Sequence, residues 1–72
     1  MFTEEHRNGE FSVTREAVGR YFLWRDDSAC GRVTHGTATA RAHCGTFDFP
    51  EDAELARQLA IDACDRRART SA

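Results

Sequence analysis

The sequence predicts an α+β fold, a three-stranded antiparallel β-meander with one C-terminal α-helix packed on one face (β-β-β-α). Three observations lead to this fold class. Residues 10–15 alternate between polar and apolar side chains, and residues 20–25 are rich in aromatic ones, as strands are. Residues 32–44 form a third and longer strand-like segment. Residues 50–68 repeat apolar side chains with helical spacing.

The predicted first strand follows a polar stretch of the chain. Residues 1–9 are mostly polar or charged, and Asn8 with Gly9 is a turn signal, so we expect a short, loose N-terminal arm there. Within residues 10–15, Phe11 and Val13 share one face of the strand. Residues 16–19 end in glycine and are short enough for a hairpin loop to the second strand.

The predicted second strand is aromatic on both faces. Tyr21 and Leu23 point to one side, and Phe22 and Trp24 point to the other. One pair can cover the core beneath the helix. Because one helix covers only one face of a sheet, the other pair should be partly exposed unless the arm or the loops cover it. An exposed aromatic patch often marks an interaction surface.

The predicted third strand, residues 32–44, has a face of small side chains that includes Ala38, Ala42 and Cys44. This face matches the alanine-rich side of the helix in size, so we place the two in contact. Arg41 and His43 then point away from the helix, because side chains alternate across a strand.

The helix is predicted to begin at Pro50, a residue that suits the first helical position. Acidic residues follow it and arginines crowd the other end, as the helix dipole favours. The apolar stripe expected to face the sheet contains Ala53, Leu55, Ala56, Leu59, Ala60, Ala63 and Cys64. We expect Leu55 and Leu59 to supply most of the apolar volume of this stripe.

Length and charge limit the function. The chain has 72 residues, which predicts a single domain, 1–72, with a small core. The formal net charge of -2 argues against a general nucleic-acid binder, which is usually basic. All 10 basic residues are arginine, and this usage suggests a GC-rich genome and therefore a bacterium or its phage.

The sequence predicts a cytoplasmic protein. The first residues are acidic, so no signal peptide is expected. No apolar run approaches the roughly 20 residues that span a membrane. Cysteine occurs 3 times, and an odd number fits reduced thiols better than a framework of disulfides.

The candidate chemical groups do not form a catalytic or metal-binding motif. Cys30, His35, His43 and Cys44 lack the paired spacing of a structural zinc site, so no metal and no cofactor are expected. Cys44 and His43 are neighbours in a predicted strand, where their side chains diverge and cannot form a catalytic pair. We therefore predict that the protein is not an enzyme.

A single-stranded nucleic acid is one alternative partner. Arginines at positions 20, 25, 32 and 41 lie beside Tyr21 or Trp24 in sequence or in the predicted sheet. Aromatic rings that stack on bases next to cations that hold phosphates are typical of such binding surfaces. The acidic net charge weighs against this alternative.

In size, acidity and the order of its predicted elements, with the Ala53-Glu54-Leu55-Ala56 type of helix, the chain resembles the small phage-encoded anti-CRISPR proteins. The resemblance implies a non-enzymatic inhibitor that docks on a larger nucleic-acid-processing defence complex of the bacterial host. The implied contact is made by carboxylates that face a basic surface, here Glu51, Asp52, Glu54, Asp62 and Asp65. Phe22 and Trp24 would be the aromatic anchor.

The competing class is a self-associating protein, either structural or regulatory. An edge strand that pairs with a second copy, or a shared aromatic face, would produce a homodimer. A mass measurement in solution distinguishes such a dimer from a monomeric inhibitor.

Overall fold

The computed structural model describes residues 3–26, 33–34, 38–39 and 41–71. The strands of this part are β1 (Thr3–Asn8), β2 (Phe11–Ala17), β3 (Arg20–Asp26), β4 (Val33–Thr34), β5 (Ala38–Thr39) and β6 (Arg41–Asp48). The helix α1 (Ala53–Ser71) follows them. Four strands form an antiparallel sheet in the order β1-β2-β3-β6, and β4 pairs only with β5. The α+β class with a C-terminal helix is confirmed, but the main sheet has four strands instead of three.

The additional strand is β1, which lies within the segment predicted to be an arm. Asn8 pairs with Phe11 across a tight turn, and Gly9 adopts the positive φ of 62° that this turn needs. A bulge between Glu4 and His6 shifts the register of the strand. Because β1 is an edge strand, its side chains remain polar, and its sequence therefore lacks the apolar alternation of a strand.

The prediction of one long strand over residues 32–44 is wrong. Short β4 and β5 pair with each other, and β6 begins at Arg41 and continues to Asp48. A bulge opposite Leu23 and Trp24 shifts the register between β3 and β6. His43 lies opposite Trp24, whereas Cys44 packs against the core. The predicted separation of His43 from Cys44 is confirmed, as the alternation of side chains along a strand requires.

The helix begins at Ala53 instead of Pro50. Asp52 is its N-cap, because its Oδ1 accepts a hydrogen bond of 3.1 Å from the backbone N–H of Leu55. Pro50 lies in the turn before the cap, which is closed by a 3.1 Å bond from the N–H of Asp52 to the carbonyl of Phe49. Beside it, Gly19 has a φ of 75°, and a Cβ there would lie 2.6 Å from the Phe49 carbonyl oxygen.

The core lies between α1 and one face of the sheet. The sheet contributes Phe11, Val13, Tyr21 and Leu23, and the helix contributes Ala56, Ala60 and Cys64, which are fully buried. The expectation that Leu55 and Leu59 fill the core is wrong, since their side chains are 43% and 37% exposed. Small helix residues let the backbone approach the sheet closely, so the bulky side chains of the sheet fill the volume instead.

Candidate functional site

The residues predicted to bind a partner lie on two opposite sides of the sheet. Phe22 and Trp24 pair with Thr14 and Ser12 on the face turned away from α1. The predicted carboxylates belong to α1 or to the turn before it, on the other side. A sheet with a helix packed on it keeps these two sides about 10 Å apart or more. One flat partner surface can therefore contact only one of the two sets.

An aromatic cluster, defined as Phe22, Trp24 and His43, occupies the first side. Its ring centroids are 5.4 to 5.9 Å apart, and the rings meet edge to face. The indole N–H of Trp24 donates to Oγ1 of Thr14 at 2.8 Å. The guanidinium of Arg41 lies 5.2 Å from the centre of the Trp24 ring, within range of a cation–π interaction. The cluster is thus a packed unit fixed to the sheet.

An ion-pair network lies next to this cluster. Arg7 contacts Glu4 at 2.9 Å and Asp26 at 2.8 Å, and both hydrogen bonds raise the already high pKa of Arg7. Ser12, paired with Arg7 on one side and Trp24 on the other, is fully buried. Its hydroxyl oxygen has no hydrogen-bond partner in the described structure. The network closes this end of the sheet face over Ser12.

Asp65, one of the residues predicted to face a partner, forms hydrogen bonds that join β1 to the helix. Its Oδ1 lies 2.8 Å from Nε2 of His6 and 2.9 Å from the amide nitrogen of Asn8. These two hydrogen bonds lower the pKa of the Asp65 carboxyl, and the bond from Asn8 has the larger effect. The same side chains could not be matched from sequence, because 57 and 59 residues separate them.

His6, Cys64 and Asp65 together offer the ligand types of a zinc site, with their atoms within 4.8 Å of one another. The geometry favours a hydrogen-bonded cluster instead. Two ligands of a tetrahedral zinc ion lie about 3.3 Å apart, given bonds of about 2.0 Å, whereas His6 Nε2 and Asp65 Oδ1 are separated by 2.8 Å. Burial, and then the charge of Asp65, raises the pKa of the Cys64 thiol, so the thiol is held in its neutral form.

Of the residues weighed for zinc in the sequence, the two that the structure describes lie on opposite sides of the sheet. His43 belongs to the aromatic cluster, while Cys44 lies on the helix side of the sheet. Cys30 and His35 lie outside the described residues, as does Arg32 of the predicted nucleic-acid surface. Of the other arginines on that surface, Arg20 pairs with Asp48 at 3.1 Å.

The outer side of α1 carries a leucine pair, Leu55 and Leu59, one helical turn apart. Exposed carboxylates lie near it in the sequence, within four residues before Leu55 and three residues after Leu59, namely Glu51, Asp52, Glu54 and Asp62. Glu54 is 77% exposed and Asp62 is exposed while it accepts a 3.1 Å hydrogen bond from Gln58. Asp52 is also the N-cap residue of the helix. Sequence reasoning assigned the leucines to the core, although the apolar arc was wide enough to place them at its rim.

The leucine pair is unusual in the described part of the chain. The only other large apolar side chain that is exposed there is Val18, which is 76% exposed in the turn between β2 and β3. Isolated apolar residues of this kind are normal on protein surfaces, whereas adjacent ones more often mark contacts. The leucine pair with its carboxylates is therefore the best-formed candidate for a protein interface.

No family model, curated protein or solved structure matches this chain. Within the described residues, no helix has the length and apolar character required to cross a membrane.

Proposed function

We propose that this protein is a non-enzymatic binding module that docks the outer side of α1 on a larger protein with a basic surface. The observation that carries the proposal is the exposed leucine pair with exposed carboxylates close to it in the sequence. Leu55 and Leu59 would enter an apolar groove of the partner. Glu51, Glu54 and Asp62 would meet arginine or lysine side chains on the rim of that groove.

The arrangement fits a known mode of recognition, in which one face of a helix lies in a groove of the partner. Anchors in that mode are spaced three or four residues apart, as Leu55 and Leu59 are. The helix needs no folding step on binding, because its inner side is already packed on the sheet. Little conformational entropy is then lost when it docks.

The carboxylates indicate the class of partner. Surfaces that bind nucleic acid are rich in arginine and lysine. An acidic helix can occupy such a surface in place of phosphates, and opposite charge speeds the encounter. We therefore propose inhibition of a nucleic-acid-processing complex, such as a bacterial defence complex, by a phage or mobile-element protein that acts in the cytoplasm. The expected anchor is the leucine pair instead of Phe22 and Trp24, because only the leucines share a side with the carboxylates.

The cation–π contact of Arg41 with Trp24 favours one second candidate, a surface that binds single-stranded nucleic acid. That surface would include the aromatic cluster and Arg41. Tyr21 cannot be a stacking platform, since it is 5% exposed in the core. Such binding would weaken steeply as salt is raised, in proportion to the number of phosphates contacted.

The test is a capture experiment from the lysate of a GC-rich bacterium, with four tagged forms as bait. These are the wild type, the double variant Leu55→Ala with Leu59→Ala, the triple variant Glu51→Arg, Glu54→Arg and Asp62→Arg, and Val18→Ala as the control. Val18→Ala removes an exposed apolar side chain that belongs to the turn between β2 and β3 and not to α1. All forms are compared after nuclease treatment.

We expect the wild type and Val18→Ala to capture the same protein in stoichiometric amount. The leucine double variant should retain less than about one tenth of it, since central apolar anchors contribute 2 kcal/mol or more. The charge-reversed form should lose it as well. Equal capture by all four forms would exclude the outer side of α1 as the contact. Material that disappears with nuclease would favour the second candidate, and capture of the bait alone would favour self-association.

A further inference from the structure

A separate groove lies between the C-terminal half of α1 and the sheet. It has a volume of about 570 Å³ and is lined by Phe11, Leu23, Arg25, Cys44, Phe47, Ala63, Arg66, Arg67 and Thr70. All nine lining residues belong to the described part of the chain. Pockets that hold small molecules usually measure roughly 300 to 1,000 Å³. The groove is thus large enough for a ligand of one or two rings.

The floor of the groove is apolar. Phe11 and Leu23 are buried, and Cys44 and Phe47 are half-buried against them. Ala63 faces this floor from the helix, and its small side chain leaves the space open. An apolar ligand group placed here would cover surface that the helix leaves accessible.

The walls of the groove are cationic. Arg25 comes from β3, and Arg66 and Arg67 come from α1. Within the described structure these three arginines make no ion pair. By contrast, a carboxylate lies 2.9 Å from Arg7, 3.1 Å from Arg20 and 3.6 Å from Arg57. Three like charges around one opening repel each other, so an anion bound between them would be stabilised.

The dipole of α1 explains the positions of Arg66 and Arg67, because cations near a helix C-terminus are favourable. It does not account for Arg25, which is on a strand and reaches the same opening. Thr70 is also in the wall, but its hydroxyl donates a hydrogen bond to the carbonyl of Arg66 at 2.9 Å. The arginines are therefore the polar groups expected to contact a ligand. The convergence of cations from two elements on an apolar floor needs a further explanation.

We propose that this groove binds a small amphipathic anion, a phosphate or carboxylate joined to an apolar or aromatic group. Guanidinium groups match both anions with two parallel hydrogen bonds. The apolar group would lie on Phe47 and the buried floor, and the anion would lie between Arg25 and the two helix arginines. The site is independent of the leucine pair, because no residue is common to the two surfaces.

The test uses 1-naphthyl phosphate as the probe, titrated by calorimetry and by NMR chemical-shift changes. Neutral 1-naphthol and inorganic phosphate are titrated in parallel to separate the two parts of the probe. The variants are Arg25→Gln, Arg66→Gln and Ala63→Phe, the last of which fills the groove without a change of charge. Arg69→Gln is the matched control, since it removes the same charge from the same helix but does not line the groove.

We expect the wild type to bind 1-naphthyl phosphate at least tenfold more tightly than either 1-naphthol or inorganic phosphate. Arg25→Gln and Arg66→Gln should each weaken binding about tenfold, as the loss of a charge-assisted hydrogen bond does. Ala63→Phe should also weaken binding, and Arg69→Gln should change it by less than twofold. Thermal unfolding of each variant confirms that it is folded.

An equal loss with Arg69→Gln would overturn the proposal, because it would indicate general attraction to positive charge. Binding of 1-naphthol as tight as that of the phosphate would also overturn it, as would the absence of binding at millimolar probe. The double variant Leu55→Ala with Leu59→Ala should bind the probe normally. The proposal for the groove and the proposal for the protein contact can therefore be refuted independently of each other.

Discussion

The two sides of helix α1 differ in a way that is the reverse of the usual pattern. The inner side that packs on the sheet is made of small residues, with Ala56, Ala60 and Cys64 fully buried. The outer side carries the larger Leu55 and Leu59, which remain 43% and 37% exposed. The volume of the core is filled from the sheet, by Phe11, Tyr21 and Leu23.

Under the proposed function, this difference assigns stability to the inner side of the helix and partner binding to its outer side. The inner side determines how closely the helix can approach the sheet, so changes there should affect folding. The outer side contributes little to the core, so its apolar residues are available for a partner. Three variants test this division, in order of decreasing effect on the free energy of unfolding.

The largest effect is expected from Ala60→Leu on the inner side. Ala60 is fully buried, and a leucine would have to push α1 away from the sheet. We expect a loss of about 1 to 3 kcal/mol in the free energy of unfolding, the usual cost of overpacking. Urea denaturation measures it. Gln58→Leu, on the exposed part of the same helix, is the control, and an equal loss in both would refute the close packing.

An intermediate effect is expected from Asp65→Asn at the boundary of the two sides. The hydrogen bonds from Asn8 and His6 favour the charged carboxylate, and they hold the pKa of Asp65 below its usual range. Because the side chain is 35% exposed, we expect a loss of only about 1 kcal/mol at neutral pH. Asp62→Asn, whose carboxylate accepts a hydrogen bond from Gln58 on the same helix, is the control.

The pH dependence of this effect has a defined sign. A carboxyl with a lowered pKa in the folded state stabilises the protein fully above its unfolded pKa of about 4. That contribution is lost as the pH falls through the lower folded value. The difference in unfolding free energy between wild type and Asp65→Asn should therefore shrink as the pH falls below about 4. A difference that stays the same down to pH 2 would contradict the role of the charge.

The smallest effect is expected from the double variant Leu55→Ala with Leu59→Ala on the outer side. Both side chains are partly exposed, and alanine is a slightly better helix former than leucine. The free energy of unfolding should change by no more than about 1 kcal/mol. Thermal and urea unfolding check this value. A loss as large as that of Ala60→Leu would mean that the leucines belong to the core.

Local patterns were sufficient to predict part of this fold. The separation of Tyr21 and Leu23 from Phe22 and Trp24 follows from the alternation of a strand, and the structure confirms it. The helix was predicted from its spacing, its acidic start and its basic end. These features depend on near neighbours in the chain, which a single sequence shows directly.

The remainder depends on contacts that are distant in sequence. The strand β1 is polar, and its attachment to the helix uses Asp65, 57 residues from Asn8. Whether the alanines or the leucines of α1 face the sheet depends on the distance between helix and sheet. The spacing of apolar residues in the sequence does not contain that distance. The start of the helix shifted because the side chain of Asp52 caps it, whereas Pro50 belongs to the preceding turn.

The candidate site was partly predictable for the same reasons. The carboxylates Glu51, Glu54 and Asp62 were named from the sequence, and all three are exposed, Glu51 in the turn before the helix and the other two on the helix. Asp65 was named with them, but it is held by His6 and Asn8. The arginine groove was not foreseen, because Arg25 and Arg66 meet only when β3 packs beneath the helix.

The most direct test of the division between the two sides of α1 is site-specific photo-cross-linking in bacterial cells. A photoreactive phenylalanine analogue replaces Leu59 in one form and Val18 in another, both at exposed positions. We expect the form labelled at 59 to yield one major adduct, with a protein that has a basic surface, and the form labelled at 18 to yield none. Adducts of equal yield from both positions, or an adduct only from position 18, would contradict the proposal that the outer side of the helix is the binding surface.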